Sequence, residues 1–326
     1  MAERTKLKKF AEFAVSLLPH ETSYLLSVQQ FQDEERLKML QTIHEVALDP
    51  SKTELFDVNI DKRKYSHLKN WIEEHLADVN VDLQFDWIVK TLQHILTDSL
   101  TNEDERKIQR IIKSGETNLF YFTKFFELLT EYRQFLLIRL RYQEHSTIDQ
   151  FIKQHQELYN ENKEVFDKLH KATLDIIDHY SSKTEESIHW EAWLTEIFYN
   201  DALEGYLRYM ALVRLTFIHF NYRNFEGLVE KYNAIDGWFL KGKFYSKRIL
   251  LNYYSNRLLL HARFKEYDKA IHYGYLSIRQ KNNDYIHYVN NLCAILLRTN
   301  KNKEALNMMR EAYPEMRLTP SFHNKI

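Results

Sequence analysis

Apolar side chains recur at three- and four-residue steps along most of this chain, the period of helices that bury one face. Leu7, Phe10, Ala14 and Leu17 predict a first helix over 6–18 that stops before Pro19. A second is predicted from Glu34 to Leu48, ended by Asp49-Pro50 because the residue before proline is pushed out of the helical region. Asp61 heads a third, with Tyr65, Leu68, Trp71, Ile72 and Leu76 on its inner face. Between Ala77 and Asp86 apolar and polar residues alternate as in a strand. No partner strand is apparent, so this stretch reads as a linker between helices. Trp87 to Leu96 is helical again, and Thr101 with Asp104 forms a capping box for a short helix that ends near Gly115.

Beyond Gly115 the pattern thickens. Phe120, Phe122, Phe125, Phe126, Leu129, Tyr132, Leu136 and Leu140 crowd one segment, Leu119 to Tyr142, which predicts a single rod covered on several sides. At about 1.5 Å per residue it would be roughly 36 Å long. Ser146 with Asp149 marks the start of another helical stretch, reaching about Tyr180 with a break at 160–162. Further helices are predicted over His189–Phe198, Ala202–Phe220 and Phe225–Ile235. The change in composition at Gly115 suggests two regions, 1–115 and 116–326.

Near the C-terminus the chain echoes itself. Tyr253, Asn256, Arg263 and Ala270 recur as Tyr288, Asn291, Arg298 and Ala305, each pair 35 residues apart. Such a period on helix-forming sequence is what stacked helical hairpins leave. The hairpin turns run Tyr222 to Leu228, Phe264 to Ala270 and Thr299 to Ala305, with Leu228, Ala270 and Ala305 where paired helices come closest. These segments resemble tetratricopeptide repeats, in which an aromatic at the turn precedes a small residue by three, as Tyr267 precedes Ala270. The likeness covers Ala202 to Pro314, with Ala312 as the second small residue and Pro314 ending the last hairpin. Leu258 and Cys293 stand where the family has glycine.

The scarcity of glycine and proline predicts an all-α protein, the resemblance implies an α-solenoid of antiparallel helical hairpins, and because three hairpins are close to the minimum for a stable array the N-terminal helical region is expected to stack on it. The resemblance also implies a concave face that binds a peptide or a partner's helix. Asn256, Arg263, Asn291 and Arg298 fall in the first helices of their hairpins, seven residues apart within each helix, and are the candidate partner-binding residues. Two guanidinium groups one repeat apart suit a partner's carboxylates. The same residues also have a purely structural reading, with the asparagines tying neighbouring helices and the arginines favourably placed near helix C-termini.

Composition narrows the function classes. Six glycines and four prolines leave little material for β-turns or phosphate-cradling loops. Forty-five basic and forty-six acidic side chains nearly cancel, without the basic excess a nucleic-acid binder shows. The N-terminal lysines Lys6, Lys8 and Lys9 precede a short apolar stretch that Glu12 interrupts, so it reads as an amphipathic helix rather than the apolar core of a signal peptide. No window has the apolar length of a membrane span. The single cysteine, Cys293, lies in an apolar helical run and reads as a buried small hydrophobe, which fits the reducing cytoplasm.

Chemical motifs are sparse. Gly237 to Phe244 matches the spacing of a phosphate-binding loop except at its last position, where Phe244 replaces the magnesium-holding Ser or Thr. Glu186-x-x-His189, with Glu196 seven residues on, is the nearest approach to a di-metal carboxylate site of the kind built in helical bundles. The second Glu-x-x-His pair of such sites is missing. The expectation is therefore a non-catalytic protein-binding scaffold without a cofactor, and the alternative is a helical-bundle metalloenzyme using Glu186, His189 and Glu196.

Overall fold

The computed structural model describes residues 7–57, 59–115, 117–182 and 187–318, and the protein is all-α, with no strand among them. It divides into two compact units. Unit 1 is discontinuous, combining 1–79 with 232–326, and unit 2 is the intervening 80–231. The boundary expected at Gly115 lies inside unit 2, where Ile108 and Ile112 on one side of it share a core with Phe122 and Phe126 on the other.

The N-terminal segment of unit 1 holds α1 (Lys8–Ser16), α2 (Pro19–Val28), α3 (Glu34–Leu48) and α4 (Lys62–Val79), with a 3-10 turn at Pro50–Leu55. Leu7, Phe10, Ala14 and Leu17 are buried as their spacing requires. Pro19 ends nothing beyond α1. It occupies the first position of a new helix, where its missing N–H costs no bond, and Glu21 reaches back to accept from Leu18 N at 2.6 Å. Asp33 caps α3 by accepting from Glu35 N, and Asp61 accepts from Arg63 N at the start of α4.

Unit 2 opens with α5 (Val81–Leu96), α6 (Asn102–Ser114), α7 (Phe122–Ile138) and α8 (Tyr142–Ser182). The alternating stretch 77–86 is helical on both sides of Asn80, which caps α5 by accepting from Asp82 N and Leu83 N. A single strong cap thus replaces the expected linker. The box at Thr101 and Asp104 forms as predicted, and the Asp104 carboxylate also meets Thr91 Oγ1 and His94 Nδ1. Gly115 closes α6 at φ 65°.

The expected rod from Leu119 to Tyr142 is shorter than its hydrophobic pattern: α7 ends at Ile138, because Leu140 turns into the left-handed region at φ 59°. By contrast, α8 runs without a break for 41 residues, about 60 Å. Asn162 does not interrupt it. This buried amide donates to Leu158 O within the helix while its Oδ1 accepts from Glu204 N, so its polar groups are consumed without opening a turn. A 3-10 turn at Ser187–Trp190, α9 (Glu191–Tyr199) and α10 (Gly205–Tyr222) follow in the same unit. Phe122, Phe125, Phe126, Leu129, Tyr132 and Leu136 of α7 form the spine of its core with Ile148, Phe151 and Ile152 of α8.

The division between the units falls within α11 (Phe225–Phe239), and unit 1 continues with α12 (Lys247–Arg263), α13 (Tyr267–Ser277), α14 (Tyr285–Arg298) and α15 (Asn302–Leu318). Helices α12 and α13 pack as a pair, α14 and α15 as a second, and α13 and α12 both contact α14. Leu258, Ala270, Val289, Leu292, Leu296, Ala305 and Ala312 build the shared core. Gly274 is required at one crossing, since a Cβ there would sit 2.6 Å from Leu292 Cδ1 and 2.7 Å from Leu258 Cδ1. Cys293 is buried between α14 and α15, its Sγ 3.7 Å from Ala305 O, and burial pushes its thiol pKa up. Pro314 does not end the last helix. α15 continues through it to Leu318, although the ring removes one donor from the helix.

One turn geometry recurs throughout. Residues Asp98, Leu140, Arg223, Gly242, Lys265 and Asn300 all have φ between 55° and 71°. In each case the next N–H donates to the carbonyl five residues before it, as in Asn224 to His219 (3.0 Å), Glu266 to His261 (2.9 Å) and Lys301 to Leu296 (2.8 Å). This is the Schellman closure of a helix C-terminus, usually made by glycine. A chain with few glycines makes it mostly with other residues, each carrying about 1 kcal/mol of left-handed strain.

Candidate functional site

The repeat turns are in register. Arg223, Lys265 and Asn300 each precede by five residues a buried side chain at the start of the following helix, Leu228, Ala270 or Ala305. The same closure therefore launches three helices with the equivalent position turned inward. Asn256 and Asn291 are half-buried in α12 and α14. Asn291 Nδ2 donates to Ser255 Oγ at 3.2 Å, linking α14 to α12, and Asn256 Nδ2 donates to Asn252 Oδ1 at 3.0 Å within its own helix. Arg263 and Arg298 are exposed, each the last residue of its helix, where positive charge suits the macrodipole.

Beneath these helices lies a polar network that periodicity could not reveal. His20 of α2 stands between two partners, its Nε2 2.8 Å from Asp236 Oδ1 and its Nδ1 2.7 Å from Tyr254 Oη. Tyr253 Oη also donates to Asp236, and Arg257 donates from Nε to Tyr253 Oη and from a terminal nitrogen to Asn233 Oδ1 at 2.7 Å. Burial alone would raise the Asp236 pKa. The hydrogen bonds from His20 and Tyr253, with the Arg257 charge, outweigh it and hold the carboxyl below its ordinary value. Nearby, Glu21 is fully enclosed; burial raises its pKa despite Lys247, the Tyr245 hydroxyl and Leu18 N. Arg279 donates to Leu17 O and Ala47 O, at the C-terminal ends of α1 and α3. These bonds join residues more than 200 positions apart and make 7–79 part of the same body as the hairpins.

Unit 2 contains a different kind of site. A cavity of about 360 Å³ is lined by Phe85, Tyr121, Tyr206 and Phe166, with Thr123, Lys124, Glu127, Asn162, Lys163 and Glu204. The N-terminal ends of α7 and α10 meet here, because Thr123 N donates to Glu204 Oε2 at 2.6 Å and Tyr206 N donates to Phe120 O at 2.9 Å. Gly205 permits this approach: a Cβ there would lie 2.5 Å from Phe120 Cδ2. Glu204 is 5% and Asn162 1% exposed. Burial pushes the Glu204 carboxyl up to about 7, against the opposing hydrogen bonds from Thr123. Lys124 is paired with Glu127 at 2.8 Å. Tyr121 lies between Phe85 and Tyr206, with centroids 4.7 and 5.5 Å away.

Two of the three remaining sequence candidates, His189 and Glu196, can be placed. Glu186 lies outside the described residues. His189 belongs to the 3-10 turn before α9, with Nε2 4.0 Å from Asp175 Oδ2, and Glu196 is exposed on α9. Among the described residues no group of three or more His, Cys, Asp or Glu is gathered for a metal ion. The near-match to a phosphate loop is the end of a helix: Gly237 lies inside α11, Gly242 closes it at φ 71°, and Trp238 stacks on Phe244 at 5.0 Å. Among the described residues, no helix is long and apolar enough to cross a membrane. No family model, curated protein or solved structure matches the chain.

Proposed function

We propose that the chain is a non-catalytic interaction scaffold of the reducing cytoplasm, whose tetratricopeptide-like hairpins hold a peptide or helix of a partner protein. The observation that carries this reading is the shared register of the turns at Arg223, Lys265 and Asn300, joined to the successive packing of α12, α13, α14 and α15. Stacked hairpins of this kind form a solenoid that offers the first helix of each pair to a ligand. Arg263 and Arg298 would receive the partner's carboxylates. Asn256 and Asn291 each commit an amide hydrogen inside the unit and would contribute the rest of their bonding capacity at the margin of the surface.

The test is quantitative co-purification with the wild-type chain and with the double variant Arg263→Glu, Arg298→Glu. Both arginines are exposed, so the fold should survive, with stability lowered by about 1–2 kcal/mol in all for the two reversed charges at helix C-termini. Loss of at least tenfold of the co-purifying protein is the expected outcome. Equal recovery by the two baits would return both arginines to the role of solvated helix ends.

A further inference from the structure

The cavity of unit 2 has no part in the scaffold reading, yet its construction is that of a ligand site. Its volume lies at the lower end of the range for small-molecule pockets, and its surface is mainly apolar, with four aromatic side chains among six polar residues. Two of those polar groups, Asn162 and Glu204, are more than nine-tenths buried. A carboxyl group kept out of water at the edge of an open cavity is costly to a fold unless something compensates it.

The chemistry of the lining selects the compensating group. An anion finds less: the helix N-terminal amides that would receive it are engaged, Thr123 N by Glu204 and Tyr206 N by Phe120 O, Lys124 is neutralised by Glu127, and the remaining lining cation, Lys163, lies over the Tyr159 ring at 5.8 Å. A cation finds the buried Glu204 carboxyl group and aromatic rings in the same lining. Phe85, Tyr121, Tyr206 and Phe166 present rings whose negative faces attract an ammonium group, most strongly where water is excluded. Phe85 and Phe166 remain partly open, 37% and 51% exposed, and form the rim through which an apolar body would enter.

We propose that this cavity binds a small organic cation, a primary or methylated ammonium group on an apolar body, with the ammonium against Glu204 and the body between Phe85, Tyr121, Tyr206 and Phe166. The cation can belong to a free amine or to a modified lysine side chain, and the probes separate the two. The first arm titrates the full-length protein with phenethylammonium and with 3-phenylpropionate, which carries the opposite charge on a similar aromatic body. The second uses a short peptide bearing Nε-trimethyl-lysine and its alanine counterpart.

Calorimetry at pH 8 should give phenethylammonium or the trimethyl-lysine peptide at least tenfold tighter binding than its control. Glu204→Gln, which keeps an acceptor for Thr123 N, should weaken the favoured probe at least tenfold. Binding should also weaken as the pH falls below about 7, where Glu204 gains its proton. The other titratable groups lining the cavity are Lys124, Glu127, Lys163, Tyr121 and Tyr206. If Glu204→Gln fails to fold, the exposed rim variant Phe85→Ala, Phe166→Ala decides, with an expected loss of fivefold or more. Preference for phenylpropionate, indifference to Glu204→Gln in a folded protein, or no binding of either cation would overturn the proposal.

Discussion

The two units are built from similar amphipathic helices but use buried polar groups in opposite ways. In unit 1 His20, Asp236, Tyr253, Tyr254 and Arg257 are joined into one network, and Arg279 satisfies carbonyls at the ends of two N-terminal helices. Apart from the Arg257–Tyr253 bond inside α12, the links of the network tie α2, α11 and α12 to one another, so the polar groups set the register of the packing. In unit 2 Glu204 and Asn162 also bond to the backbone, but they sit at the edge of a cavity rather than at the centre of a helix contact. The comparison teaches that burial of a polar side chain does not by itself mark function. What distinguishes Glu204 is the open space beside it.

The contrast can be broken most severely at Asp236. Asp236→Ala removes the acceptor shared by His20 and Tyr253 and leaves both in a partly enclosed site, so unit 1 should lose about 3 kcal/mol in chemical denaturation. A loss under about 1 kcal/mol would mean that water replaces the carboxylate and that the network is ornamental to the fold. The next effect is steric. Gly274→Ala places a methyl group against Leu258 and Leu292 and should cost about 2 kcal/mol by overpacking. Unchanged stability would show that α13 is not held as close to its neighbours as described.

A smaller effect should be alike in both units. Lys265→Gly in unit 1 and Leu140→Gly in unit 2 relieve the left-handed strain of exposed Schellman positions, and each should stabilise by about 1 kcal/mol. Destabilisation by either would mean that the native side chain contributes more than its backbone strain costs. Agreement between the two would show that the units share their turn physics and differ only in their polar interiors.

Local signals were legible in the sequence and long-range ones were not. The limits of α3, the aspartate heading α4, the box at Thr101 and Asp104, and the helix end at Gly115 all follow from residues within one turn of each other. The break at Leu140 was hidden because leucine favours helix, and nothing nearby announces its positive φ. Asn162 looked like a breaker because its partner, Glu204 N, lies 42 residues ahead. Pro19 looked like a stop because its role as a start depends on the α2 that follows. The discontinuous unit 1 rests on bonds such as Arg279 to Leu17 O, which no periodic pattern encodes. The cavity escaped for the same reason, since α5, α7, α8 and α10 each give it only a few residues.

The most direct test of the contrast is a carboxyl 13C titration of the wild-type protein, resolving Asp236 and Glu204 in one sample. Glu204, raised by burial, favours the folded state while protonated. That contribution is complete below its ordinary value of 4.5 and is lost as the pH rises through about 7. Asp236, lowered by its partners, stabilises above its ordinary value of 3.8 and loses that contribution as the pH falls through its depressed pKa. The expected result is two midpoints on opposite sides of the ordinary carboxylate range, Glu204 near 7 and Asp236 below 3.8. Both midpoints near their ordinary values would contradict the account, because neither the paired network of unit 1 nor the dry carboxyl group of unit 2 would then exist in solution.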